Sequence, residues 1–141
     1  MAKTTTELLK ELKRQSCSLP DYLSNYKDTF VNEDVKAFWE NIIESKNYSK
    51  SNIINKADFS YCYFYEVING RKAPTKDKVV RLALAMKMTV DECQRALKVS
   101  GRSFLHPKNR RDSILIYAIE QQMTVIQCNN LLSDNGEDEL K

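Results

Sequence analysis

The side chains with chemistry to offer are concentrated in the middle of this chain. Between Lys46 and Arg111 stand fifteen Lys/Arg against five Asp/Glu, a net of +10, whereas the two flanks together carry seven against fourteen, a net of −7. A basic middle between acidic ends points to a surface for a polyanion. Inside it lies "YCYFYEVINGRK", Tyr61 to Lys72, with tyrosines at 61, 63 and 65. Whether those tyrosines alternate on a strand or share a helix decides what they can touch.

Other chemistry is poorly supplied. The single histidine, His106, precedes a proline, and there is no glycine-rich phosphate cradle and no pair of carboxylates in a plausible cleft. No catalytic set follows, so the chain is not expected to be an enzyme. Four cysteines, Cys17, Cys62, Cys93 and Cys128, are widely spaced, with no CxxC pair and no histidine near any of them. Neither a metal site nor a cofactor is expected. No apolar run approaches the roughly 18 residues of a membrane span. The amphipathic start, "MAKTTTELLKELKRQ", is unlike a secretory signal. The expectation is a cytoplasmic chain whose cysteines are free thiols or buried apolar groups.

The elements that must position these residues read as helices. The 141 residues are about one domain's worth, and only three glycines and three prolines leave little room for all-β turns. Read locally, Tyr61 to Ile68 alternates like a strand, and Asn69-Gly70 looks like a type I′ hairpin turn. At a 3.6-residue period, however, Phe64, Val67 and Ile68 share one face, with Phe59 reaching it from the preceding turn. Ser60 then serves as N-cap, and Gly70 supplies the positive φ at which helices stop. Upstream, Ser49 caps a helix burying Ile53, Ile54 and Ala57. Before that, Asn32 opens a helix to about Lys46 with Val35, Phe38, Trp39, Ile42 and Ile43 inward. Further helices are expected over Thr4–Gln15, with Leu8, Leu9 and Leu12 on one face, and after Ser18.

The rest is a repeat. "DKVVRLALAMKMTVDECQRALKVSG" from Asp77 aligns without gaps to "DSILIYAIEQQMTVIQCNNLLSDNG" from Asp112, an offset of 35 residues. Asp77/Asp112, Met88/Met123, Thr89/Thr124, Cys93/Cys128, Leu97/Leu132 and Gly101/Gly136 are among the matched pairs. Each copy predicts a helical hairpin whose second helix is capped by Thr89 or Thr124, with Cys93 and Cys128 in the core. The acidic end, "DNGEDELK", is expected to fray.

Residues Asp34 to Ser100 resemble the Cro/CI-type (XRE) helix-turn-helix domain of bacterial and phage transcription regulators. The family's hydrophobic, cap, hydrophobic, hydrophobic, glycine, basic and proline pattern is matched by Phe59, Ser60, Phe64, Val67, Gly70, Arg71, Lys72 and Pro74. The resemblance implies an all-α fold: a five-helix, lambda-repressor-like domain over 32–101. An N-terminal helical arm over 1–31 and a helical hairpin over 102–141 complete it. It implies sequence-specific binding of double-stranded DNA through residues 49–70, commonly by a homodimer. On this reading Tyr61, Cys62, Tyr65, Glu66 and Asn69 face the bases, and Lys50, Ser60, Arg71, Lys72 and Lys76 meet phosphates. One departure is plain. The outward face carries no Arg, Lys or Gln, the usual readers of guanine and adenine, and its one charge is Glu66. An exposed aromatic patch poor in charge also suits a protein partner. The second expectation is therefore a protein-interaction module that keeps the fold and grips a protein through its tyrosines.

Overall fold

The computed structural model describes residues 31–141, so the expected N-terminal arm, with Leu8, Leu9, Leu12, Ser18 and Cys17, lies outside the described residues. The described residues form seven α-helices and no strand. They are α1 (Val31–Lys46), α2 (Lys50–Ala57), α3 (Tyr61–Ile68), α4 (Lys76–Ala85), α5 (Val90–Val99), α6 (Arg110–Glu120) and α7 (Val125–Asp134). The first helix begins at Val31, one residue before the expected opening at Asn32.

Short helices of 8 to 11 residues have little stability of their own. Side-chain caps define where they begin. Ser49, Ser60, Thr75 and Asn109 each accept a hydrogen bond from a backbone N–H of the first turn. Thr89 and Thr124 go further, closing reciprocal capping boxes with Glu92 and Gln127. The strand reading of Tyr61–Ile68 is overturned by the core. Phe64, Val67 and Ile68, fully buried at helical spacing, are worth far more than the alternation of tyrosines. Gly70, at φ 77°, releases the chain from α3.

One cluster of buried side chains runs from Val35 to Leu140, with Trp39, Phe64, Leu82, Leu97, Leu115 and Leu132 among its largest members. Helix α4 sits at its centre, touching α2 on one side and α6 and α7 on the other. Lys46 of α1 reaches Glu92 of α5 at 2.7 Å. Burial works against the Glu92 carboxylate, but Lys46 and the Thr89 N–H outweigh it and hold its pKa below the usual glutamate value.

The two hairpins associate as two halves of a dimer would. Lys76 donates to Asp112 at 3.1 Å, and Arg111 forks onto Asp77 at 2.9 and 3.1 Å. Lys76 and Arg111 are 35 residues apart, as are Asp77 and Asp112, so each copy gives its cation to the other's carboxylate. The His106 N–H meets Asp112 and the Lys141 N–H meets Asp77, both at 3.0 Å. Within each copy, the Leu105 N–H is held by Gln94 and the Leu140 N–H by Asn129. Contacts in which i meets j′ while j meets i′ define an isologous interface. Here both halves belong to one chain.

That symmetry corrects the expectation for the acidic tail. The repeat does not stop at Gly136. It continues to Leu140, the partner of Leu105, and both are buried, at 3% and 2% exposure. The tail is docked rather than frayed. Cys93 and Cys128 are buried free thiols, and burial pushes them up to about 12 and about 11. The hairpins differ on their far sides. The first is covered by α1 and α2, so Leu82 and Met86 are buried, whereas their counterparts Tyr117 and Gln121 are exposed.

Candidate nucleic-acid interface

Helices α2 and α3 are joined by Asp58, Phe59 and Ser60. Asp58 takes the left-handed conformation, φ 57° and ψ 50°, which a short acidic side chain tolerates. Its N–H satisfies carbonyls at the end of α2. Phe59 fills the corner, and Arg81 of α4 donates to the Ala57 carbonyl at 3.1 Å, tying the turn to the hairpin. The Ser60 hydroxyl accepts from the Tyr63 N–H at 3.2 Å, so its oxygen caps α3.

With α3 fixed this way, its three tyrosines part company. Tyr63 lies edge-on to Phe59 with 5.3 Å between ring centroids, packed on the rim of the core, and burial raises its pKa. Tyr65 also leans on the core, perpendicular to the buried Phe64. Tyr61 alone is fully presented, at 64% exposure. It rests on Tyr65, with ring centroids 4.7 Å apart and hydroxyls 3.4 Å apart. That hydroxyl contact is what chiefly raises the Tyr61 pKa. The Lys50 ammonium sits over the Tyr65 ring, 5.6 Å from its centroid. Cation and rings attract one another in this range.

The remaining expected residues divide. Cys62 is exposed, and Glu66 and Asn69 are half-buried. The Glu66 carboxylate pairs with Lys72 at 3.3 Å, so the one negative charge on the face is offset by a neighbour. Arg71 and Lys72 are exposed beyond Gly70, their N–H groups folded back onto the Glu66 carbonyl. Lys76 is a different case. Its ammonium is held by Asp112 and by the Phe104 carbonyl at 3.2 Å, inside the joint between hairpins. It is brought to the repeat and not to the tyrosines, because the first residue of α4 lies at the ion-pair seam.

Two contributors are invisible to sequence patterns. Arg102 reads as one more connector cation, yet its guanidinium donates to the carbonyls of Pro74 and Ala73 and fixes the loop after α3. Lys78 lies 5.5 Å from the Phe59 ring and 5.8 Å from the Tyr63 ring, adding a cation at the far edge of the aromatic row. Neither has a local signal, since the partners lie up to 29 residues away. The basic middle is thus partly consumed internally: Lys46, Lys76, Arg102 and Arg111 all have protein partners.

No group of three or more His, Cys, Asp or Glu that could hold a metal occurs among the described residues. None of their helices is long and apolar enough to cross a membrane. No protein-family model, curated protein or solved structure matches this chain.

Proposed function

We propose that this chain is a cytoplasmic, double-stranded-DNA-binding transcriptional regulator. Residues 32–101 would form a Cro/CI-type domain, with α2 and α3 as its helix-turn-helix. The observation that carries the reading is the placement of Tyr61. It projects from the first position of a capped short helix, braced by Tyr65, with Lys50 on one flank. The start of a recognition helix is where side chains enter the major groove. Tyr61 and Cys62 would meet base edges first, with Glu66 and Asn69 one to two turns on. A tyrosine ring packs on a thymine methyl, and a carboxylate accepts from a cytosine amino group. Lys50, Arg71 and Lys72 are the phosphate contacts, joined by the Ser60 hydroxyl proton. Lys76 is left out of that set. A homodimer would read two half-sites.

A second reading has its own support. The face lacks Arg, Lys and Gln, and a stacked, exposed tyrosine pair is the kind of anchor that dominates protein interfaces. The test is fluorescence anisotropy with duplexes from the protein's own genomic surroundings and scrambled controls, each at two salt concentrations. A preferred duplex, bound more tightly than its scramble at both salts, supports DNA reading. Weak, sequence-indifferent and steeply salt-dependent binding supports the protein partner instead.

A further inference from the structure

The isologous pairing of the hairpins creates one cleft twice. One copy lies between the end of α4 and the start of α7, with a volume of about 240 Å³, and Leu84, Ala85, Lys87, Val125 and Ile126 line it. Its twin lies between the end of α6 and the start of α5, about 280 Å³, lined at equivalent positions by Ile119, Glu120, Gln122, Val90 and Asp91. The twin shows what such a cleft carries as ordinary surface. Its rim is acidic and polar, and Asp91 in the first turn of α5 is favoured by the helix dipole.

The first cleft departs from that pattern at each of the three rim positions. Ala85 replaces the acid at 120, Lys87 replaces Gln122, and Ile126 replaces Asp91. Ile126 is 73% exposed, the most exposed large apolar side chain among the described residues. Water disfavours an exposed isoleucine there, and an uncharged side chain forgoes the helix-dipole stabilisation that Asp91 gains. Lys56, from the last turn of α2, adds a second cation, resting 5.0 Å from the Tyr48 centroid. Lys87 reaches across to the Gln122 carbonyl, which leaves its other N–H groups free to donate.

Among the described residues, the cleft has an apolar floor, two cations and no carboxylate in its lining, which suits an occupant with an apolar body and a negative charge. We infer that this cleft binds a small organic monocarboxylate. The apolar body lies on Leu84, Val125 and Ile126, and the carboxylate lies between Lys56 and Lys87. The cleft is below the 300–1,000 Å³ usual for drug-sized ligands, which fits a single ring or a short chain. Such a ligand would join α2 to the second hairpin. The binding claim does not depend on what α3 recognises.

The test is a titration of the ¹⁵N-labelled full chain with 3-phenylpropionate, followed by amide shifts, alongside the neutral 3-phenylpropanamide. The twin cleft is the internal control. Saturable shifts are expected at Ala85, Lys87, Val125 and Ile126 and not at Glu120, Val90 or Asp91. The amide should bind about tenfold more weakly, as should Lys56→Gln, because each loses a charge-assisted contact. Ile126→Asp, which gives the cleft its twin's residue, should weaken binding at least as much while leaving the melting temperature unchanged. Equal shifts at both clefts, equal affinity for acid and amide, or undiminished binding by Ile126→Asp would each overturn the assignment. So would the absence of saturable binding by 3-phenylpropionate and hexanoate while an acidic, leucine-containing peptide binds.

Discussion

Lys72 and Lys76 stand four residues apart and belong to regions that use charge in opposite ways. Around Lys76, each cation of the joint between the hairpins is paired with the carboxylate of the other repeat copy, Lys76 with Asp112 and Arg111 with Asp77. Around Lys72, cations flank exposed aromatic rings, and the one ion pair is open to solvent. The first arrangement spends charge on holding two hairpins in register. The second leaves it available to something outside the chain. Half-buried pairs with several hydrogen bonds contribute to stability, whereas exposed pairs contribute little. Substitutions should therefore separate the regions: loss of folding in one, loss of binding in the other.

The largest expected effect tests how far the joint extends. Leu140→Ala removes a buried side chain from the end of the second repeat and should cost about 2–4 kcal/mol in urea unfolding. A stability equal to wild type would return the tail to being an appendage. Next comes Asp77. Replacing it with asparagine leaves Arg111 half-buried without its anion and should cost about 2 kcal/mol at neutral pH.

The same group predicts a pH dependence. Burial works against the Asp77 carboxylate, but hydrogen bonds from Arg111 and the Lys141 N–H outweigh it, so its folded pKa is depressed. A depressed carboxylate contributes stability that is complete above the unfolded value of about 4 and is lost as pH falls through the lower folded value. Wild type should therefore lose stability on acidification more steeply than Asp77→Asn. Parallel acid limbs for the two proteins would remove Asp77 from that account.

In the other region the readout moves to binding. Tyr61→Ala should lower affinity for the preferred duplex roughly tenfold to a hundredfold, and affinity for a scrambled duplex much less. Its melting temperature should match wild type, since an exposed ring loses little packing. Equal losses on both duplexes would defeat base reading, and a large fall in melting temperature would place Tyr61 in the core. The smallest effect makes the sharpest contrast. Lys72→Ala should reduce the slope of log affinity against log salt by about one. Lys76→Ala should leave that slope alone and lower stability instead. If both lysines change the slope alike, the division between the regions fails.

Much of the helical framework was legible in the sequence, because it is written locally. Ser49, Ser60, Thr89 and Thr124 cap the helices that follow them, and Gly70 takes the positive φ that ends α3. A 3.6-residue period and a hydroxyl one position before it are properties of neighbouring residues, so no knowledge of the fold is needed to see them. The repeat was legible too, and with it the burial of Cys93 and Cys128. What the sequence could not assign was the partner of each charge. Fifteen cations between Lys46 and Arg111 look alike in a string. Lys76 was expected at a phosphate, and Arg102 at no particular place. The tertiary structure alone put Lys76 against Asp112, 36 residues away, Arg102 against the Pro74 carbonyl, and Leu140 beside Arg81, 59 residues away. A long, flexible side chain takes whichever acceptor the packed helices bring within about 3 Å. That choice is made only once the hairpins have docked.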